Sequence, residues 1–187
     1  LRQGEIAAIT GANGSGKTTI LRAIATAQNC VYVHGEKFVG PNPKIVALVP
    51  DKVGDYFVTG SLDEELARAD KVASVAKGYT KTTFLSLVEP DGSDFARHPL
   101  DLSIGTQLAL ATAMQLSHKP QLLLLDEPVQ GLDSRSRAQL AETLRCVQET
   151  GCAIVFATHD LFFAKSLADK TISLTDVTNR AAEVGAK

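Results

Sequence analysis

Three groups of residues in this sequence have the types and spacing for work on phosphate. Gly11-Ala12-Asn13-Gly14-Ser15-Gly16-Lys17-Thr18 matches G-x-x-x-x-G-K-[ST] in full. Glycines let the backbone turn so that successive N–H groups face one point. A helix starting near Gly16 adds the positive end of its dipole. Lys17 then sets a cation on the β- and γ-phosphates, and the Thr18 hydroxyl ligates Mg2+. Thr19 completes the candidate phosphate-binding set. Leu122-Leu123-Leu124-Leu125-Asp126-Glu127 delivers adjacent acids at the end of an apolar strand. Asp126 suits Mg2+, directly or through water, and Glu127 then points to where an attacking water would sit. His159, in Thr158-His159-Asp160, follows another apolar run, where a neutral imidazole reaches the γ-phosphate or the water. The plainer readings are a glycine-rich turn, solvated loop charges and a structural histidine. The fully specified loop outweighs the first, and its presence outweighs the other two.

Elements that alternate between strand and helix must position these groups. Glu5 to Thr10 reads as a strand buried on both faces, and Thr18 to Ala27 as a helix with Ile20, Leu21, Ile24 and Ala25 at helical spacing. Val31 to Val33 is a short strand, Gly40 to Pro43 a turn, and Lys44 to Val49 a strand stopped by Pro50. The middle is more polar. Ser61 and Glu64 fit a capping box opening a helix to about Ala69. Lys81 to Val88 is a second helix, and Pro90 to Ser93 a turn. The core resumes with a helix from Ser103 to Ser117, bearing Leu108, Ala111 and Gln115, then the strand Gln121 to Leu125. Asp133 N-caps a helix to about Glu149. The strand Cys152 to Ala157, a helix Leu161 to Ala168 and a strand Thr171 to Leu174 follow. The expected architecture is α/β: a mostly parallel core sheet flanked by helices. Residues 1–50 and 104–174 form the core, 51–103 a helical insertion, and 175–187 a loosely held tail of one domain.

Composition narrows the classes. The chain has 187 residues, 44% hydrophobic and 21% charged, which suits a globular domain and excludes collagen or simple coiled coil. A net charge of −2 argues against a general nucleic-acid binder. No apolar stretch is long enough to span a membrane. Cys30, Cys146 and Cys152 lack metal-ligand spacing and read as reduced core or near-core thiols of a cytosolic protein. No signal peptide precedes the first strand. With Leu1 first and Met114 the only methionine, the sequence reads as an excerpt or a processed product.

Together these residues resemble the nucleotide-binding domain of ABC ATPases, a P-loop NTPase fold. Gly11 to Thr18 is similar to the Walker A loop, Leu122 to Asp126 to Walker B, and Glu127 to the catalytic glutamate. Gly131-Leu132-Asp133 resembles the D-loop and His159 the switch histidine. Asp101 to Gln107, with Ser103 and Gly105, falls where the LSGGQ signature belongs. The match runs from about Glu5 to Leu174, nearly the whole sequence. Three departures stand out. Asp51 occupies the place of a glutamine that senses Mg2+ and the γ-phosphate and links to the transmembrane partner; an acid there reaches metal through water but repels phosphate. The signature reads LSIGT, with Ile104 for glycine and Thr106 for glutamine, and Ile104 should limit backbone approach and positive φ. Ala109 also stands near the place of the usual arginine. The family's N-terminal strands, with their adenine-stacking aromatic, have no counterpart ahead of Leu1.

The resemblance implies ATP and Mg2+ as ligands and an ATP-hydrolysing motor subunit on the cytoplasmic face of the membrane. It implies two partners: a transmembrane subunit, and a second ABC domain paired head to tail, so that ATP lies between one Walker A and the other signature. Because the signature is altered while the Walker A loop, Asp126, Glu127 and His159 look intact, a heterodimer or fused tandem is expected. Gly54 to Phe57, Ser61 to Leu66 and His98 to Ser103 look most like the ATPases of energy-coupling-factor and cobalt-type importers, which take up vitamins and metal ions. The alternatives are a regulatory partner that hydrolyses poorly and a soluble non-transport ABC ATPase. Of the latter, a DNA-repair or chromosome-structure type needs a long coiled-coil insertion that the middle section lacks, and a translation-factor type needs two cassettes.

Overall fold

The computed structural model describes residues 1–26, 31–33, 36–38, 42, 44–88 and 94–174. The described chain runs β1 (Ile6–Thr10), α1 (Lys17–Ala25), β2 (Val31–Val33), β3 (Glu36–Phe38) and β4 (Val46–Val49). A 3-10 turn (Val53–Tyr56), α2 (Leu62–Ala73), α3 (Tyr79–Leu87) and a second 3-10 turn (Pro99–Asp101) follow. The chain closes with α4 (Ile104–Leu116), β5 (Leu122–Asp126), α5 (Ser134–Glu149), β6 (Ala153–Thr158), α6 (Leu161–Leu167) and β7 (Lys170–Ser173).

Five strands pair in the order β4-β5-β6-β1-β7, all parallel, while β2 and β3 form a separate antiparallel pair. Alternate residues of the central strands serve opposite faces. Ala7, Ile9, Leu124, Val155 and Ala157 face Leu21 of α1. Ile6, Ala8, Leu123, Leu125, Ile154 and Phe156 face α4, α5 and α6 through Leu108, Leu144 and Phe163. Phe156 and Phe163 meet edge to face, with centroids 5.5 Å apart. Helix cover on both sides explains why these strands are continuous apolar runs.

Helix α4 joins this core to the insertion. Its Leu108 and Ala111 pack under the sheet, while Leu110, Ala113 and Met114 pack against Leu62 and Leu66 of α2 and Phe84 of α3. Being buried on several sides, it carries no single apolar stripe.

Several boundaries move. Helix α2 runs four residues past Ala69, to Ala73, and α3 begins at Tyr79, where Gly78 takes φ 86°. Lys44 and Ile45 form a turn before β4. Ser61 caps α2 by accepting the Glu64 N–H at 3.3 Å, but the Glu64 carboxylate reaches Gly60 N–H instead of closing the box on Ser61. Cys146 is exposed, contrary to the expected near-core thiol, because the inward stripe of α5 is Leu140, Thr143, Leu144 and Val147. Cys152 is buried. Cys30, the two expected proline turns (apart from Asn42) and the tail 175–187 lie outside the described residues.

Candidate functional site

Strand register brings the chemistry together. Val49 of β4 lies beside Leu125 of β5, Asp126 beside Ala157 of β6, and Thr158 beside Thr10 of β1. The residues just past these strands therefore share one carboxyl edge: Asp51, then Asp126 and Glu127, then His159, then the loop from Gly11. Ligands of open parallel sheets bind at that edge.

The loop turns through Gly14 (φ 79°) and Gly16 (φ 93°), conformations that disfavour any side chain. Ser15 N–H donates to Ala12 O at 3.1 Å and tightens the turn. Gly16 caps α1, so the N–H groups of Lys17, Thr18 and Thr19 open the helix without intrahelical acceptors. Lys17 is buried, and its ammonium donates to Gly11 O (2.9 Å) and Ala12 O (3.2 Å) and pairs with Glu127 Oε1 (3.2 Å).

Glu127 takes φ 48°, a left-handed conformation that costs a non-glycine residue of order 1–3 kcal/mol. Its N–H donates to Ala157 O at 2.9 Å. Its Oε2 lies 2.9 Å from His159 Nδ1 and accepts the His159 N–H at 3.3 Å. A carboxylate only accepts, so Nδ1 carries the proton, and Nε2 of a neutral ring is left as an acceptor. The His159 turn is itself anchored. Asp160 N–H donates to Thr158 Oγ1, and its carboxylate caps α6 through Phe163 N–H and pairs with Arg137 of α5.

Asp126 is 4% exposed, and its Oδ1 has no hydrogen-bond partner. Burial raises its pKa; the Thr18 hydroxyl bonded to it opposes this, and the charges of Asp51 and Glu127 raise it further. A lone carboxylate oxygen beside a hydroxyl, facing like charges, is a donor set that fits Mg2+ completed by phosphate oxygens and water. Thr18 and Asp126 would hold the ion, while exposed Asp51 lies close enough to act through its charge.

Ser103 and Gly105 stand apart from this cluster, at the start of α4. Ser103 caps the helix, and Gly105 lies against Ser136 and Leu132. Ile104 does not have positive φ; it opens α4 with 55% of its surface exposed. Its bulk therefore alters the approach to this surface and leaves the backbone unstrained. Its Cδ1 would be 3.3 Å from a Cβ on Gly131, so the signature and the Gly131 turn are packed together.

Sequence reasoning missed Glu65. This fully buried carboxylate accepts Val58 N–H, Thr59 N–H and the Thr59 hydroxyl, and pairs with Arg68, which also donates to Tyr56 O. It ties the segment after Asp51 to α2. Taken as residue types, the adjacent acids Asp63, Glu64 and Glu65 do not differ in a way that marks which one turns inward. Leu62, Glu65, Leu66 and Ala69 share the buried face, so helical spacing from the apolar positions could have found it.

A family described as "ABC transporter" matches residues 1–130. An ABC transporter ATP-binding protein of Streptomyces coelicolor is 36% identical over 181 residues, which is 92% of this chain and 32% of that protein. The sulfate/thiosulfate import ATP-binding protein CysA of Xylella fastidiosa is 34% identical over 189 residues, 93% of this chain and 53% of that protein. The chain thus spans about a third to a half of these relatives' lengths. Among solved structures, cbiO1 from Clostridium perfringens, part of the ABC transporter complex cbiONQ, has a TM-score of 0.75 at 20% identity, covering 91% of this chain and 73% of that one. A dimeric ATP-binding cassette in a post-hydrolysis state, bound to ADP and Pi, has a TM-score of 0.76 at 22% identity, covering 92% and 82%. At these identities the likeness concerns the fold.

Proposed function

The chain belongs to the ATP-binding domains of ABC transporters, and from that premise we propose that it binds ATP with Mg2+ and hydrolyses it as the motor of membrane transport. The observation that carries this reading is the convergence of Lys17, Thr18, the unpartnered Asp126 Oδ1, Glu127 and His159 on one sheet edge. Gly11 to Thr19 would cradle the phosphates with backbone N–H groups and the Lys17 ammonium. Mg2+, held by Thr18 and Asp126, would supply charge neutralisation on the β- and γ-phosphate oxygens. Lys17 must exchange part of its present bonding, Glu127 included, to reach a phosphate. Freed from that pair, Glu127 can orient water and accept its proton. His159 holds Glu127 through Nδ1, so it reaches a phosphate as donor either protonated or after releasing that bond.

Residues 51–103 are the helical insertion of a single domain, with residues 1–50 and 104–174 as core and 175–187 as a tail. Ser103 and Gly105 would face the phosphates held by a second ABC domain, paired head to tail as a heterodimer or fused tandem. The relatives' greater length leaves room for such a second domain. Among the described residues no helix is long and apolar enough to cross a membrane, and we place the chain on the cytoplasmic face against a transmembrane subunit. Similarity to a protein named as an import ATPase supports import. A vitamin or metal-ion cargo follows the resemblance of residues 54–57, 61–66 and 98–103 to the energy-coupling-factor ATPases.

The altered signature and Asp51 favour a second reading, a nucleotide-binding regulatory partner with slow hydrolysis. Turnover and nucleotide titration of the full-length protein decide. Glu127→Gln should keep binding and lose turnover, and Lys17→Ala should lose binding. Wild-type turnover in the first or wild-type affinity in the second overturns the motor reading. Wild-type turnover no faster than Glu127→Gln establishes the regulatory one.

A further inference from the structure

The geometry points to Thr106 as a positioning residue that acts through Ser103; this rests on the head-to-tail pairing proposed above. Ser103 Oγ accepts the Thr106 N–H at 3.2 Å and lies 2.8 Å from Thr106 Oγ1. The two hydroxyls hold two protons between them. One closes the bond between the two oxygens, and the other is left for a group outside the pair. Ser103 is exposed and Thr106 half-buried, so the outward member is Ser103.

The polarity of the pair decides what Ser103 presents. Its oxygen has two lone pairs, and Thr106 N–H occupies one. When the Thr106 hydroxyl donates, the second is filled and the Ser103 proton must point away. The opposite polarity turns a lone pair outward, which an anion repels. A phosphate approaching α4 therefore selects the first arrangement, and Thr106 makes Ser103 a one-way donor. The residue that departs from the family's usual glutamine thus compensates within the altered signature.

Thr106→Val keeps the branched shape and the backbone N–H that caps α4 but removes the hydroxyl. In the full-length protein with its partner domain, and with this chain's own Glu127 changed to Gln in every sample so that turnover reads the site Ser103 completes, this change should lower kcat roughly fivefold, the effect of one oriented hydrogen bond, with little change in KM for ATP. Thr106→Ser should restore wild-type turnover. In a Ser103→Ala background, Thr106→Val should add nothing, since the hydroxyl it loses has no partner left. Melting curves of Thr106→Val and Thr106→Ser should coincide, while Ser103→Ala, which loses the cap of α4, should melt lower. Wild-type kcat in Thr106→Val while Ser103→Ala is impaired, or additive losses in the double variant, would overturn the role of Thr106 alone. Undiminished turnover in Ser103→Ala would refute the pairing itself, and this inference with it.

Discussion

Asp126→Asn should stabilise the protein when it is free of metal and nucleotide, and should abolish its response to Mg2+. The wild-type carboxylate is 4% exposed with Oδ1 unpartnered, and the charges of Asp51 and Glu127 bear on it. Burial raises its folded-state pKa above the unfolded value, against the pull of the Thr18 hydrogen bond. An acid shifted this way weakens the fold where it is ionised, and that penalty disappears as pH falls through the folded value. Leaving a buried polar group unpaired costs about 1–3 kcal/mol. The asparagine amide keeps some of that cost but removes the charge. A gain near the lower end, about 1 kcal/mol, raises Tm by about 2–4 °C in a domain of this size. Melting at neutral pH in chelator should show the gain, and the gap should close on acidification. With Mg2+ and a non-hydrolysable ATP analogue at about a hundred times Kd, the wild type should gain about 2.7 kcal/mol, and the variant should gain far less. A variant that melts below the wild type in chelator refutes the electrostatic reasoning. One that keeps the full shift with metal refutes the assignment of Asp126 as ligand.

Glu65→Ala should cost about 3 kcal/mol in urea unfolding, because Arg68 and the donors of Val58 and Thr59 lose their acceptor. Burial works to raise the Glu65 pKa, but hydrogen bonds from Thr59, Arg68 and Val58 outweigh it and hold the carboxylate below its ordinary range. Its stabilisation is therefore present above the unfolded glutamate pKa of about 4.3 and lost as pH falls through the folded value; a wild-type acid profile in Glu65→Gln would contradict this. In native protein, an alkylating reagent should label exposed Cys146 before Cys152, whose thiol burial pushes up to about 11; peptide mass spectrometry showing equal labelling would refute it. Ile104→Gly should raise hydrolysis at the partner's site more than at this chain's own site, read in assembled pairs with one catalytic glutamate disabled at a time; equal change at both sites would refute the asymmetry.

The phosphate edge was legible because its signals are local. Gly14, Gly16, Lys17 and Thr18 fall within five consecutive residues, and the apolar strand before Asp126 announces where the acids must emerge. Asp133 was legible as a helix cap for the same reason, since it sits immediately before a helical run, whereas the helix expected from Ser103 begins one residue later, with Ser103 as its cap. What stayed hidden depends on which way a side chain turns within an element. Glu65 lies among adjacent acids and is buried, while Cys146 lies beside buried Val147 and is exposed. The pairing of β2 with β3 was also out of reach, because Glu-Lys-Phe has no alternation to mark a strand.

The departures from the family pattern fall in two places, Asp51 at this chain's own phosphate edge and Ile104 and Thr106 in the signature. Lys17, Thr18, Asp126, Glu127 and His159, the groups that would meet this chain's own nucleotide, are complete and mutually bonded or in electrostatic contact. Ile104 and Thr106 lie instead on the surface that would complete another domain's site. There the backbone accepts the change: Ile104 is the first residue of an ordinary helix, and its side chain settles against Gly131, whose φ of 75° already calls for glycine. Bulk at position 104 therefore costs the fold little, and its effect is felt at the approach of a partner. A homodimer would meet that obstruction at both sites. A partner with its own intact signature would leave one site unobstructed, and only the other would have to accommodate Ile104. The distribution of the substitutions thus favours an unlike pair, covalently joined or not.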